Sequence, residues 1–229
     1  MHALVELAPH VWQLPLLPLS AVNAYLVGDV VVDAGPPWSQ RRLLAALAGR
    51  PVTAHVLTHA HPDHQGATAA LCDARSIPLW CGADDRAAAE TADFSDAWRG
   101  PRRRLFQVAK RLGGPGHRVD RTLCEGDRVA DFEVIETPGH TAGHISLWRE
   151  ADGVVILGDL ASHRNPLSLS PGLREASRLI TRDPLQNRRS IRKIAALRPR
   201  LICFGHGPPL TDGDRFGRWA ENLGARGSA

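Results

Sequence analysis

The chain has 229 residues, 43% of them hydrophobic, which favours one substantial domain with its own core over two very small ones. Its formal charge of +4 tolerates an anionic small-molecule substrate without identifying one. The four cysteines, Cys72, Cys81, Cys124 and Cys203, are widely spaced, form no CxxC pair and lie among apolar neighbours. We therefore predict small core residues rather than a disulfide framework, and a reducing, cytoplasmic location.

Short β-rich runs dominate the first third of the chain, and Gly28-Asp29 is typical of a tight hairpin turn. Prolines and an asparagine interrupt the uncharged stretch 11–28, so we predict buried strands there and neither a membrane segment nor a targeting signal. The predicted elements are the strands Val11–Leu17, Ala24–Val27 and Val30–Asp33, a helix Gln40–Ala48, the strand His55–Leu57 and a helix over about Gly66–Ala74.

The middle of the chain, at about 84–121, is helix-like and arginine-rich, and glycine and proline interrupt it repeatedly. We predict a basic helical insertion that lies over the sheet within a single domain covering 1–229. Strand patterns resume after it, with one more helix before the last strand. These elements are the strands Arg128–Glu136, Ile145–Trp148, Val154–Leu157 and Leu201–Phe204 and the helix Asn187–Leu197. Grouped strands with helices between the groups favour two facing sheets flanked by helices.

A histidine-rich loop follows the predicted strand His55–Leu57 and carries four metal-competent side chains in six positions: His59, His61, Asp63 and His64. In an extended loop, alternate residues share a face, so the first two histidines point to one side. A turn at Pro62 redirects the other two side chains toward a neighbouring point. Such crowding is hard to explain structurally, and it predicts that one loop serves two adjacent metal ions.

Three later segments each place one candidate ligand beside glycine at the end of a predicted strand: His140, Asp159 and His206. Glycine lets the backbone approach a metal closely. Taken singly, each is more typical of a turn residue than of a ligand, but together and in this order they predict a metal site. Imidazole and carboxylate suit two divalent ions, with Zn²⁺ favoured and iron or manganese as alternatives.

The segments THAHPDH, TPGHT, GD and GHG, with VVDAG at 31–35, resemble the five ordered motifs of the metallo-β-lactamase superfamily. The resemblance spans roughly residues 20–210 and implies an α+β fold, the four-layer αββα sandwich, with the site at one edge of the two sheets. It implies one metal held by His59, His61 and His140, a second held by Asp63, His64 and His206, and Asp159 as the bridge between them.

Other polar residues near the motifs receive supporting roles. Asp33 is interpreted as an acceptor that steadies the histidine loop, with a turn-forming aspartate as an equal alternative. His144 is interpreted as a satisfied histidine that orients a ligand rather than as a further ligand. The candidate substrate contacts are His163, four residues after Asp159, and Trp98, Arg102 and Phe106 of the insertion. For the insertion, a solvated amphipathic helix is the favoured alternative.

Two neighbouring cations would acidify a shared water to give a hydroxide nucleophile, so no serine or cysteine is required. Asp63 would hold that water and shuttle its proton, and Asp159 is the second residue to which we give a catalytic role.

The sequence resembles the glyoxalase II-like branch of the family, which implies small ester, thioester or lactone substrates. β-Lactam hydrolysis is not expected, because Asp159 stands where the best-known zinc β-lactamases have a cysteine and because the sequence shows no secretion signal. Only 23 residues follow His206, too few for the glutathione-binding helical domain of glyoxalase II.

Several alternatives stay open at this stage. An oxidoreductase resembling the persulfide dioxygenases would hold a single Fe²⁺ on His59, His140 and Asp159. A phosphodiesterase and a non-enzymatic binding module are less favoured. We expect a small-molecule partner, possibly anionic, and no membrane. Nucleic acid is not expected, because the family's nucleases carry a large extra domain, and a homodimer is possible.

Overall fold

The computed structural model describes residues 4–94, 113–165 and 168–224. The strands are β1 Val5–Ala8, β2 Val11–Pro15, β3 Asn23–Val27, β4 Val30–Val32, β5 Ala54–Leu57, β6 Leu79–Gly82, β7 Arg121–Leu123, β8 Arg128–Val129, β9 Phe132–Glu136, β10 Ile145–Arg149, β11 Val154–Gly158, β12 Ala161–Arg164, β13 Pro171–Glu175 and β14 Leu201–Phe204. The α-helices within these ranges are α1 Gln40–Ala46, α2 Pro62–Gln65, α3 Thr68–Arg75, α4 Arg86–Thr91, α5 Pro184–Ala196 and α6 Gly213–Glu221.

The first sheet contains β1 to β7 in chain order. Strands β1 to β4 form an antiparallel meander, and β4, β5, β6 and β7 then pair in parallel. Parallel strands end at the same edge of a sheet. The segments that follow β4, β5 and β6 therefore meet there, and these segments contain Asp33, the histidine loop and Asp85.

The second sheet has the order β14-β11-β10-β9-β8. Strand β11 is parallel to β14, and β10 is antiparallel to both β9 and β11, so β9, β11 and β14 run in the same direction. The residues after their carboxyl ends therefore lie along one edge. This arrangement brings His140, Asp159 and His206 together, although 66 positions separate the first from the last.

Three hydrophobic clusters show how the layers pack. Tyr25 and Val56 of the first sheet pack with Phe132 and Leu147 of the second sheet in the cluster between the two sheets. A second cluster lies between the first sheet and α1, α3 and α4, and a third lies between the second sheet and α5 and α6. The predicted four-layer αββα sandwich is therefore confirmed.

The elements differ from the predictions in a few places. The predicted strand Arg128–Glu136 is a hairpin of β8 and β9, because Ala130 adopts a left-handed conformation (φ 50°) that reverses the chain. Within the predicted insertion, the structure shows a 3₁₀ turn at Ala83–Asp85, helix α4 and, at its end, β7 paired with β6. Residues 95–112 lie outside the described residues, so the domain assignment stays a prediction.

All four cysteines are free, as the sequence predicted. Cys72, Cys81 and Cys203 are buried in the hydrophobic core, whereas Cys124 is exposed, so the prediction of a core position is wrong for that residue. Cys124 lies in the turn after β7, where its backbone N–H donates a hydrogen bond to Asp127. Among the described residues, no helix has the length and apolar character needed to cross a membrane.

Candidate metal centre

Three imidazoles converge at the edge shared by the two sheets. His59 and His61 lie on the loop after β5 and His140 on the loop after β9, and their ring centroids are 4.6 to 4.8 Å apart. Their candidate ligand atoms lie within 4.8 Å of one another, and all three side chains are buried. We refer to these residues as the first trio; the structure brings them together as the sequence predicted.

Asp63, His64 and His206 form a second trio, and their candidate ligand atoms also lie within 4.8 Å of one another. The first two residues belong to the short helix α2, which begins at Pro62. His64 also lies against the first trio, because its ring centroid is 4.1 Å from that of His59, and the candidate ligand atoms of His59, His64 and Asp159 lie within 4.8 Å of one another. Asp63 Oδ2 lies 3.3 Å from His206 Nε2. The Asp63 side chain is 43% exposed, so this trio reaches solvent through its carboxylate.

Asp159 lies between the two trios, at the end of β11. Its Oδ2 is 2.9 Å from His206 Nε2 and 3.8 Å from His140 Nε2, and its Oδ1 is 3.4 Å from His64 Nε2. The carboxylate therefore faces members of both trios. Gly205 allows this approach, because a side chain at that position would overlap the Asp159 carboxylate.

Hydrogen bonds donated by Nδ1 orient the rings of four histidines. Nδ1 of His64 donates to Asp33 Oδ2 at 2.8 Å, and Nδ1 of His206 donates to the carbonyl of Ala21 at 2.5 Å. Nδ1 of His59 lies 3.1 Å from Thr58 Oγ1, and Nδ1 of His140 lies 3.2 Å from Thr181 Oγ1. Both hydroxyls donate elsewhere, so each accepts from the ring. An imidazole that donates through Nδ1 directs Nε2 at a metal.

Most of the candidate metal-ligand atoms are buried and form no hydrogen bond. Among the described residues, this holds for Nε2 of His59, His61, His64 and His140 and for Oδ1 of Asp159. A buried polar atom without a partner costs free energy, so five such atoms at one point require a ligand that satisfies them together. The set fits one or two divalent cations, because neutral imidazole nitrogens and a carboxylate are the ligands that such cations take.

The two trios differ in charge. Burial and the neighbouring imidazoles lower the pKa of His59 and of His140 well below the ordinary value, so both are neutral. Burial opposes the protonation of His206, but Asp159 and Asp63 outweigh it and raise its pKa to about 10. Likewise, Asp159 and Asp33 raise the pKa of His64 well above its usual range despite burial. The second trio therefore holds protons that a cation would have to displace.

Asp33 and His144 each form hydrogen bonds to candidate ligands or to the loops that carry them. Asp33 accepts hydrogen bonds from the backbone N–H of Thr58 (2.8 Å), from its hydroxyl and from His64, so it ties the start of the histidine loop to a candidate ligand. His144 Nε2 accepts from the backbone N–H of Asp159 at 3.1 Å, and its Nδ1 lies 2.8 Å from Thr137 Oγ1. Burial lowers the pKa of His144 to about 3, so it acts as a neutral acceptor.

The candidate substrate contacts have a mixed outcome. His163 is partly buried, its Nδ1 donates to the carbonyl of Pro208 at 3.0 Å, and its backbone N–H donates to His206, so it supports the last ligand loop. Trp98, Arg102 and Phe106 lie outside the described residues. A cavity of about 260 Å³ lies instead beside the first trio, lined by His61, Thr141, Arg182, Ala88 and Phe94 among others.

Sequence reasoning missed several residues that hold the ligand loops. Asn23 donates from Nδ2 to the carbonyls of Phe204 and Gly207, on both sides of His206, and Tyr25 donates to Phe204 as well. Asp85 and Thr181 contact the loop of His140. None of these lies in a motif. For Asn23 and Tyr25 the available indication was a polar group within a buried strand, whereas Thr181 lies in no strand and had no such indication.

The comparisons with known proteins agree with this geometry. Residues 17–206 match the metallo-β-lactamase superfamily. A hydroxyacylglutathione hydrolase of Cereibacter sphaeroides is 34% identical over 204 residues, which are 82% of this chain and 63% of that enzyme. The crystal structure of the B3 metallo-β-lactamase BLEG-1 has a TM-score of 0.67 and 28% identity, covering 95% of this chain and all of the other. The structure of TTHA1623 in a di-iron-bound form has a TM-score of 0.65 and 30% identity over 92% and 94%.

Proposed function

Since the chain belongs to the metallo-β-lactamase superfamily, we propose that it is a dinuclear metal hydrolase that cleaves a small-molecule ester, thioester or lactone. The observation that carries the proposal is the convergence of seven candidate ligands, five of whose donor atoms are buried without a hydrogen bond. The second trio favours two metal ions over one, because a single ion on the first trio would leave Asp63 and His206 without a role. Zinc is the metal we favour, with iron or manganese as alternatives.

The bound cations would supply a water acidified to near neutral pH and would polarise the substrate's carbonyl oxygen. The chain's own residues then determine how the reaction proceeds. Asp63 has an exposed side chain next to His206, so it is placed to orient the attacking water and to accept its proton. Asp159 is buried between the trios and is placed to keep the two sites at a fixed separation.

The cavity beside His61 is the proposed position of the substrate. Alanine and phenylalanine side chains line part of it, and the exposed residue Arg182 also contributes to the lining, together with Asp84, Asp85 and Asp93. Arg182 is anchored near the metals, because its backbone N–H donates to the carbonyl of His140 at 3.1 Å. A guanidinium there suits an anionic group on the substrate. The hydroxyacylglutathione hydrolase relative favours a thioester, although the chain spans only 63% of that enzyme.

The test is a hydrolysis panel on protein loaded with Zn²⁺, Mn²⁺ or Fe²⁺, covering aryl esters, acyl thioesters, lactones, a β-lactam and a phosphodiester. We expect metal-dependent turnover of an ester, thioester or lactone that chelation abolishes and metal restores. Turnover of the β-lactam alone, or of the phosphodiester alone, would contradict the proposed substrate class. The B3 β-lactamase relative makes the β-lactam arm an essential comparison.

Metal analysis separates this proposal from the iron oxidoreductase. Two metal ions per chain in replete protein support a hydrolase, whereas one iron per chain with oxygen uptake on a persulfide would overturn it. The expected cytoplasmic location, a small-molecule partner without nucleic acid or membrane, and a homodimer stay predictions.

A further inference from the structure

Asp85 is a buried carboxylate outside every ligand motif. It ends the 3₁₀ turn Ala83–Asp85 that follows β6, and only 3% of its surface is exposed. Its oxygens accept three hydrogen bonds: Oδ2 from the backbone N–H of Ala60 at 2.9 Å and from Thr141 Oγ1 at 2.7 Å, and Oδ1 from the backbone N–H of Gly143 at 2.8 Å. An ionised carboxylate with three donors forms strong, directional bonds.

The three donors belong to the two loops that carry the first trio. Ala60 lies between His59 and His61, and Thr141 directly follows His140. The histidine loop extends from the first sheet and the His140 loop from the second, so Asp85 connects ligand loops on opposite layers of the sandwich. No other single side chain in the described parts of the chain accepts hydrogen bonds from both loops.

Two glycines allow this close connection. A side chain at Gly82 would overlap the carbonyl of Gly143, and a side chain at Gly143 would overlap the backbone of Asp85. The end of β6 and the His140 loop are therefore in direct backbone contact. The short side chain of Asp85 therefore reaches the His140 loop directly, and its hydrogen bonds to Thr141 and Gly143 fix the position of that loop.

We propose that Asp85 is a positioning residue that sets the spacing between His59, His61 and His140, and thereby the affinity of the metal ion held by this first trio. The proposal rests on the proposed function, since it concerns a metal at that trio. Its physical basis is that imidazoles bind a cation tightly only when their Nε2 atoms are held at the required separation. The negative charge of Asp85 also lies beside a trio that has no carboxylate of its own.

The decisive variant is Asp85→Asn. An asparagine with its oxygen at the Oδ2 position keeps the bonds from Ala60 and Thr141 but turns an amide NH₂ group toward the N–H of Gly143. The substitution therefore removes the negative charge and the hydrogen bond from Gly143. We expect the affinity for one of the two metal ions to fall roughly 10- to 100-fold, the range for groups that orient metal ligands, and the other to change little. Competition with a chromophoric chelator measures both affinities.

Asp84→Asn is the matched control. Asp84 is the preceding residue of the same turn and, like Asp85, lines the cavity beside His61, but it is exposed and accepts no hydrogen bond from either loop in the described structure. Metal affinity, and not turnover, is therefore the quantity compared. The Asp84→Asn variant loses the same negative charge but no hydrogen bond to either loop. We therefore expect it to retain the wild-type affinity for both metal ions. Co²⁺-loaded protein adds a spectroscopic measurement, because altered spacing in one trio should change the absorption bands of one ion only.

Thr141→Val provides a second route if Asp85→Asn does not fold. It removes a single hydroxyl that donates to Asp85, and we expect a several-fold loss of affinity at the same metal, with Thr141→Ser restoring it. Wild-type affinity for both metals in Asp85→Asn, or in Thr141→Val, would overturn the proposal. Wild-type protein that binds no metal at all would instead contradict the proposed function, so the two failures are distinguishable.

Discussion

The two halves of the candidate metal centre are prepared in different ways. The first trio consists of three buried imidazoles whose Nε2 atoms have no hydrogen-bond partner among the described residues. The second trio is an ion-paired cluster in which His206 Nε2 lies close to the carboxylates of both Asp63 and Asp159. In the first trio burial keeps the imidazoles neutral, whereas in the second trio carboxylates keep the imidazoles protonated.

One fold therefore stabilises a buried set of candidate metal ligands in two ways. The first trio relies on rigid loops, held by Asp85 and Thr181, to keep unpartnered nitrogens in place until a cation satisfies them. In the second trio, His206 contacts the carboxylates of Asp63 and Asp159 while His64 Nε2 has no hydrogen bond within the described ranges, so a cation has to replace existing ion pairs and release protons. Asp159 belongs to both arrangements, and changes there should have the largest effect.

Asp159→Ala removes the carboxylate that faces both trios, and it should lower kcat/KM on the order of 10³-fold or more, because both metal sites lose a ligand. Metal content after dialysis should fall for both ions together. Asp152→Ala is a matched control, since Asp152 pairs with Arg149 in the turn before β11, away from the centre. Two tightly bound ions in Asp159→Ala would contradict the bridging role.

Asp33→Asn should weaken the second trio more than the first. The carboxylate orients His64 through Nδ1 at 2.8 Å and also holds Thr58, so the substitution frees the ring and loosens the loop. We expect a metal affinity roughly 10- to 100-fold lower at one site, measured by chelator competition. Asp29→Asn, at the opposite end of β4, changes a partly buried carboxylate that bonds to the hydroxyl of Thr53, and it should leave both metal affinities unchanged. Equal weakening of both ions would contradict the expectation that Asp33 acts mainly through His64, and would show that its contact with Thr58, which bonds to His59, matters as much.

The two sites should also differ in their dependence on pH. The raised pKa of His206, about 10, means that a cation must displace its proton throughout the neutral range, so affinity at the second site should rise about tenfold per pH unit for each proton. The first site should change little above pH 6.5, because burial keeps its histidines neutral. Isothermal titration in buffers of different ionisation enthalpy counts the released protons. Equal proton release at both sites would contradict the proposed difference in protonation between the two trios.

The same shift affects the metal-free protein. Because the folded state holds the His206 proton more tightly than the unfolded chain does, the resulting stabilisation is fully present below pH 6.5 and is lost as the pH rises through about 10. Metal-loaded protein lacks that proton and should not show the loss. Thermal unfolding of both forms between pH 7 and 10 compares them directly.

Sequence alone could predict the ligand loops, because each is a local pattern at the end of a β-rich run. The four-layer sandwich followed from the grouping of strands and from the family resemblance. The supporting residues could not be found in this way, because their roles depend on pairing between distant segments. Asp85 contacts Gly143, 58 positions away, and Asn23 contacts Gly207 across 184 positions. The strands β1, β6, β7, β12 and β13 were also missed. All of these except β6 are partly exposed, so they lack the continuous buried apolar run that marks β14.

The smallest expected effect concerns Thr181, whose hydroxyl donates to the carbonyl of Ser177 at 2.9 Å and accepts from His140 Nδ1 at 3.2 Å. Thr181→Val keeps the shape of the side chain but removes the acceptor that fixes the His140 tautomer. The buried Nδ1–H then loses its partner at a cost of about 1–3 kcal/mol, so part of the population should adopt the other tautomer. We expect a several-fold weaker first metal site, with ¹⁵N chemical shifts of the His140 ring showing the tautomer change. Thr181→Ser should behave as wild type, and an unchanged ring spectrum in Thr181→Val would show that packing alone orients this histidine.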